Sequence, residues 1–277
     1  MGSIACGISF VLPHHLAGKP AVNGIKADLS NRVAIVTGAT RGLGRTFART
    51  LAQANAQVVV TGRNAEAASD VADDIASDGH SAVACALDIS DSNSVSGMVE
   101  EALDCFGKVD ILINNAAIAT TPGTADFDQI EDDEWQNVIQ TNLTGYFLCS
   151  KACIASMRGS GWGRIINISS SSIFLGAAGK LHYVAAKAAL IGMTYSLARE
   201  LGSDGVTVNA VLPGLIETES PRPGRTKSQI ESFVARQCIP RIGTPDYVAG
   251  LVLFLASNSR EFITGQAIVV DGGAVHH

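Results

Sequence analysis

Short runs of aliphatic and β-branched residues alternate along this chain with longer stretches in which apolar residues recur every three or four positions. The runs fall at 32–37, 57–61, 81–87, 111–114, 163–168, 206–211 and 266–270. Almost wholly apolar and four to seven residues long, they predict strands buried on both faces. The periodic stretches predict helices at about 45–54, 65–78, 91–106, 132–157, 183–201, 227–237 and 245–256. The helix at 132–157 is expected to be continuous, with Gly145 permitting a kink. Strand and helix alternate seven times, which predicts an α/β fold: a single Rossmann-type doubly wound domain, its seven-stranded, mostly parallel sheet flanked by helices on both faces. That domain is expected to span 29–277. Residues 1–28 fit neither pattern and are expected to form a mobile N-terminal extension. The segment 215–237 opens with a stretch rich in Pro, Gly, Glu and Arg, the composition of a lid over a site.

Composition narrows the class of function. Of the 277 residues, 47% are hydrophobic and 17% charged, the net charge is −6, and no basic block is present. A nucleic-acid partner is therefore not expected. No stretch reaches the length that spans a bilayer, so no membrane partner is expected either. The six cysteines form no CxxC pair and no Cys/His cluster of metal spacing. They read as free thiols in a reducing, cytoplasmic setting, and no metal site is inferred.

Candidate chemistry lies at strand ends. The first strand runs into Thr37-Gly38-Ala39-Thr40-Arg41-Gly42-Leu43-Gly44 and then into a helix. Glycines in that context let backbone N–H groups approach a phosphate, and the helix start adds partial positive charge. In dinucleotide-binding folds the end of the second strand faces the adenosine ribose, where a carboxylate binds a free 2′-hydroxyl and an Arg accommodates a 2′-phosphate. Here Gly62-Arg63 follows that strand, Arg41 lies inside the glycine loop within reach of the same place, and no carboxylate is present. NADPH or NADP+ is the expected cofactor, with NADH or NAD+ the alternative. Asp88 and Ile89, after the third strand, are placed beside the adenine. Asn114 and Asn115 end the fourth strand; Asn114 reads as structural, while Asn115, Ala116 and Ala117 are expected at the cofactor site. On the helix after the fifth strand, Tyr183 and Lys187 share a face one turn apart. A phenol beside a fixed positive charge ionises more readily than its ordinary pKa near 10 allows, which suits it to acid/base work.

Thr37-Gly38-x-x-x-Gly42-x-Gly44, Asn114-Asn115-Ala116, Asn142, Ser170, Tyr183-x-x-x-Lys187 and Pro213-Gly214, in that order, resemble the short-chain dehydrogenase/reductase family, in particular members like 3-oxoacyl-ACP reductase. The likeness covers about residues 29–273; Ala117 stands where the family usually has Gly. It implies a catalytic set of Asn142, Ser170, Tyr183 and Lys187. Tyr183 would exchange the proton, Lys187 would lower its pKa and hold the nicotinamide ribose, Ser170 would bond the substrate oxygen, and Asn142 would hold a water of a proton relay. Ser169, Ser171 and Ser172 are alternatives for the Ser170 role. Pro213, Gly214, Ile216 and Thr218 would complete the cofactor site. The substrate pocket is expected to include Ser172, Phe174, His182, Leu215 and Ile216.

The function so implied is reduction of a carbonyl to a secondary alcohol with NADPH. The alternatives are oxidation of a sugar, polyol or sugar acid, which the polar residues Glu217, Glu219, Arg222 and Arg225 would favour, and a non-catalytic cofactor-binding regulator. The partners expected are a small-molecule carbonyl or alcohol and further copies of the chain, in a homotetramer built on the helices of Asn142 and Tyr183.

Overall fold

The computed structural model describes residues 27–118, 126–219, 226–258 and 261–276. Nearly all of the expected N-terminal extension, and Arg222 and Arg225, lie outside the described residues.

Seven strands form one sheet in which every pairing is parallel: β1 (Val33–Val36), β2 (Gln57–Gly62), β3 (Ala82–Ala86), β4 (Ile111–Asn114), β5 (Gly163–Ile168), β6 (Val206–Pro213) and β7 (Ala267–Val270). Their order across the sheet is β3-β2-β1-β4-β5-β6-β7. Chain direction across the sheet therefore reverses between β1 and β4, and a crevice opens at their carboxyl ends, where ligands bind in such sheets.

The helices are α1 (Gly42–Gln53), α2 (Ala65–Ser77), α3 (Ser92–Phe106), α4 (Asp132–Ile139), α5 (Gly145–Ser160), α6 (Ser172–Leu175), α7 (Leu181–Leu201), α8 (Lys227–Val234) and α9 (Pro245–Ala256). One face of the sheet is covered by α1, α2 and α9, where Phe47, Leu51, Val71, Ile75, Val252 and Leu255 bury against Val36, Val58 and Val60. On the other, α3, α5 and α7 bring Met98, Tyr146, Cys149, Met157 and Leu190 against Ile35, Leu112 and Ile165. Among the described residues no helix is long and apolar enough to cross a membrane.

Three local features depart from the sequence expectation. The helix at 132–157 is interrupted by a π-helical stretch, Gln140–Thr144, between α4 and α5. Gly145 follows it, and its smallness serves a close approach: a Cβ there would lie 2.8 Å from the Ile89 side chain and 2.9 Å from the Ile89 carbonyl. β6 continues two residues beyond the expected end, through Pro213, because a proline lacking its N–H still offers a carbonyl, which Ser171 N–H uses at 3.0 Å. Lastly, the loop after β5 contains one helical turn, α6.

Candidate active site

The crevice between β1 and β4 is stitched at its floor by the buried Thr37. Its hydroxyl donates to the Ile113 carbonyl at 3.2 Å and accepts from the backbone N–H groups of Asn115 and Ala116 at 2.8 and 3.0 Å. Asn115 returns the tie, its amide donating to the Thr37 and Gly38 carbonyls at 2.9 and 3.1 Å. Gly44 closes the turn beneath. A Cβ on it would lie 2.1 Å from the Gly38 oxygen and 2.6 Å from the Asn115 amide nitrogen, so no larger residue fits. Asn114 points into the core instead and donates to Asn167 at 3.0 Å and Ser150 at 3.1 Å, the structural role expected of it.

The cleft above this floor has a volume of about 480 Å³. It is lined by Gly38, Thr40, Arg41, Gly42, Leu43, Gly44, Arg63, Asp88, Ile89, Asn115, Ala116, Ala117, Ser170, Tyr183, Lys187, Pro213, Gly214, Ile216 and Thr218. One elongated site thus collects every residue expected at the cofactor. It also takes in Ser90, Asn137, Thr141 and Ile118, for which the sequence carried no signal.

An observation within the cleft shows what its glycine end attracts. The N–H of Gly42, the first residue of α1, donates to the carboxylate of Glu219 at 2.9 Å, and Arg45 lies 3.7 Å from the same oxygen. That backbone bond first, and then Arg45 and Arg41, hold the Glu219 carboxyl below its ordinary pKa. An anion is therefore already stabilised where a helix start would receive a phosphate. At the far rim Arg41 and Arg63 are exposed beside the end of β2. Asp88 accepts from the Ser90 hydroxyl and N–H at 2.6 and 2.9 Å, which depresses its pKa, with Arg63 adding to the effect. The glycine cradle, the anion seat and the two cations fit a nicotinamide dinucleotide.

At the other end of the cleft stand the groups for proton transfer. Lys187 is 2% exposed, and its ammonium donates to the Ile168 carbonyl at 2.7 Å and to the Tyr146 hydroxyl at 3.1 Å. Burial pushes its pKa from 10.5 down to about 7. The ammonium lies 5.9 Å from the centre of the Tyr183 ring. Of the four serines after β5, Ser169 is buried with its hydroxyl donating to the Lys187 carbonyl at 2.7 Å. Ser171 is buried too, while Ser170 is half-buried and lines the cleft, accepting only the 3.2 Å bond from Ser172 N–H among the bonds found for its hydroxyl.

Asn142 is buried behind the wall in the π-helical stretch. Both ends of its amide bond the backbone of Ile118, accepting from N–H at 2.8 Å and donating to the carbonyl at 2.9 Å. The side chain is thus committed to pinning the chain after β4. Four residues expected in the substrate pocket, His182, Leu215, Ser172 and Phe174, are not in this cleft. His182 is fully buried against α4, with Nε2 3.2 Å from the Glu134 carboxylate. Leu215 faces a second cavity of about 630 Å³ near the C-terminal strand. The Ser172 hydroxyl is buried away from the cleft, and Phe174 is 42% exposed on α6.

Comparison with known proteins agrees with this geometry. The family model described as enoyl-(acyl carrier protein) reductase matches residues 38–275. The chain belongs to the short-chain dehydrogenase/reductase family. It is 40% identical to the 3-oxoacyl-[acyl-carrier-protein] reductase FabG of Salmonella typhimurium over 246 residues, 89% of this chain and 98% of that protein. It is 38% identical over 245 residues to the (2S)-[(R)-hydroxy(phenyl)methyl]succinyl-CoA dehydrogenase subunit BbsD of Thauera aromatica, covering 88% of this chain and 97% of that one. Among solved structures, a chain described as a short-chain alcohol dehydrogenase of Sinorhizobium meliloti superposes with a TM-score of 0.84 at 33% identity, over 89% of this chain and 97% of its own. Membership makes this short-chain dehydrogenase/reductase an oxidoreductase that works with a nicotinamide cofactor.

Proposed function

We propose that the chain is an NADPH-dependent ketoreductase acting on a 3-oxoacyl thioester or a similar small ketone. The observation that carries the reading is the shared wall of Ser170, Tyr183 and Lys187 at the carboxyl end of the sheet, in the same cleft as the glycine loop. A bound nicotinamide would supply the hydride; the chain's own groups supply binding, orientation and the proton. The Ser170 hydroxyl donates to the carbonyl oxygen and stabilises the negative charge that develops there. The Tyr183 O–H gives its proton to that oxygen, and the Lys187 ammonium stabilises the phenolate left behind. Arg41 and Arg63 at the adenosine end, with Gly62 where an acid would exclude a 2′-phosphate, support the phosphorylated cofactor. Thioester substrates are favoured because two similar proteins are named for acyl-carrier and CoA thioesters.

The polyol reading loses support, since Glu219 is engaged with the glycine loop and not with a substrate pocket. Assembly into a homotetramer through α5 and α7 belongs to the same proposal: Phe147 and Tyr195, on those helices, are 47% and 52% exposed. Light scattering behind size exclusion tests it. The catalytic reading is tested by initial rates with NADPH and NADH over acetoacetyl-CoA, cyclic and aryl ketones, and polyols. Tyr183→Phe is expected to abolish turnover and leave NADPH affinity nearly unchanged. Undiminished turnover in that variant, or a preference for polyols over ketones, would overturn the proposal.

A further inference from the structure

Tyr146 is a fully buried phenol in the first turn of α5. Its neighbours in that helix's buried face are Cys149, Cys153 and Met157, so a phenylalanine would satisfy the packing. The hydroxyl nevertheless has specific partners. It accepts from the Lys187 ammonium at 3.1 Å and donates to the Ile168 carbonyl at 3.3 Å, while Lys187 donates to the same carbonyl at 2.7 Å. Ammonium, hydroxyl and carbonyl thus form a closed triangle. An ammonium carries three hydrogens; the triangle uses two and leaves the third for the cleft that Lys187 lines.

We propose that the Tyr146 hydroxyl is a positioning group for proton transfer, holding the Lys187 ammonium against Ile168 so that its remaining hydrogen faces the cofactor cleft. The inference rests on the reading of Tyr183 and Lys187 as the proton-transfer pair. Two features fix where the hydroxyl points. The π-helical stretch, pinned through Asn142 to Ile118, sets the rotation at which α5 begins. Gly145, pressed on Ile89, brings that helix start close to the strand ends. A hydrogen bond accepted from an ammonium favours its charged form, so the hydroxyl opposes the burial that pushes the Lys187 pKa down. Burial first, and then Tyr183 and Cys149, keep the Tyr146 phenol itself well above its ordinary pKa, so it acts as a neutral dipole. The titratable groups around the triangle are Tyr183 on α7 and Cys149 on α5, with the Glu134–His182 pair where α4 meets α7. Neither β6 nor α6, which also pack on α7, carries a titratable side chain.

The test is Tyr146→Phe, which keeps the ring and removes the hydroxyl. In the ligand-free full chain labelled with 13Cε-lysine, the Lys187 resonance, assigned by its loss in Lys187→Met, is followed by NMR against pH. Its midpoint is expected to fall by at least about half a pH unit in Tyr146→Phe. For acetoacetyl-CoA reduction by NADPH at pH 7, kcat is expected to fall at least about twofold with KM little changed, and to recover toward wild type as the pH is lowered and the ammonium re-forms. An unchanged lysine midpoint together with an unchanged kcat–pH curve would overturn the proposal and leave Tyr146 as packing. If the wild-type chain reduces no ketone, the proposed function fails instead, and the lysine titration still decides the role of Tyr146.

Discussion

The buried ammonium of Lys187 sets up a measurable conflict between stability and function. Moving its pKa from 10.5 to about 7 corresponds to about 5 kcal/mol, at about 1.4 kcal/mol for each pH unit. The sign follows from proton counting. Between pH 7 and 10.5 the unfolded chain holds a proton that the native lysine has released, so stability rises with pH through that window. Below about pH 7 the native lysine is charged and the full penalty applies. Lys187→Met removes the charge and keeps most of the apolar stem. It also takes a donor from the Ile168 carbonyl and from the Tyr146 hydroxyl, an offset of about 1–3 kcal/mol. The ligand-free variant is therefore expected to be more stable than wild type at pH 6 by about 2–4 kcal/mol, or about 5–10 °C in Tm for a chain of this size. The advantage should shrink steadily as the pH is raised to 10. Thermal unfolding by circular dichroism at constant ionic strength, over pH 6 to 10, measures both. Because the comparison is between two proteins at each pH, titration of other groups cancels. A pH-independent difference in Tm, or a variant less stable than wild type at pH 6, would refute the reasoning.

Three further outcomes follow from the cleft. Glu219→Gln frees the Gly42 N–H of a competing carboxylate; as the Glu219 side chain is 52% exposed, the effect is about 0.5–1 kcal/mol. Fluorescence titration should show NADPH binding about two- to fivefold tighter at low salt, the gap closing at high salt; weaker binding would mean that Glu219 assists the cofactor. Arg63→Asp is expected to lower the kcat/KM preference for NADPH over NADH at least about tenfold, through loss of a charge-assisted bond and gain of repulsion. An unaltered preference would remove Arg63 from the site. Gly44→Ala should lower Tm by at least about 5 °C and abolish cofactor binding, because its methyl would lie 2.1 Å from a backbone oxygen. Gly97→Ala, in α3 with open space around it, should raise stability by about 0.5–1 kcal/mol. Equal effects from the two would show that the close approach at Gly44 does not matter.

Much of the fold could be read from the chain because a parallel sheet buried on both faces leaves uninterrupted apolar runs, and each such run here is a strand. That the residues expected at the cofactor line one cleft has a related reason: they sit at strand ends, and strand ends are what the pattern locates. Features that depend on contacts between distant elements were not. The π-helical stretch carries Asn142, which ties to Ile118, 24 residues earlier, and no local period announces that contact. His182, adjacent to Tyr183, looked fit for a substrate pocket, but neighbouring residues on a helix face about 100° apart, and it turns into α4. Tyr146 lies four residues after Asn142, a spacing that places two side chains on one helix face. The structure gives the two separate tasks, one bonding Ile118 and the other Lys187.

Thr37 bears on how binding divides its entropy. One hydroxyl fastens the end of β1 to the chain leaving β4, and Asn115 fastens that chain back to the glycine turn. The spacing of the two banks is thereby set when the domain folds, and a dinucleotide meets a cradle whose backbone needs no further ordering. Loosening that stitch, as in Thr37→Val, would transfer an ordering cost from folding to binding, so that a single buried hydroxyl trades domain stability against cofactor affinity.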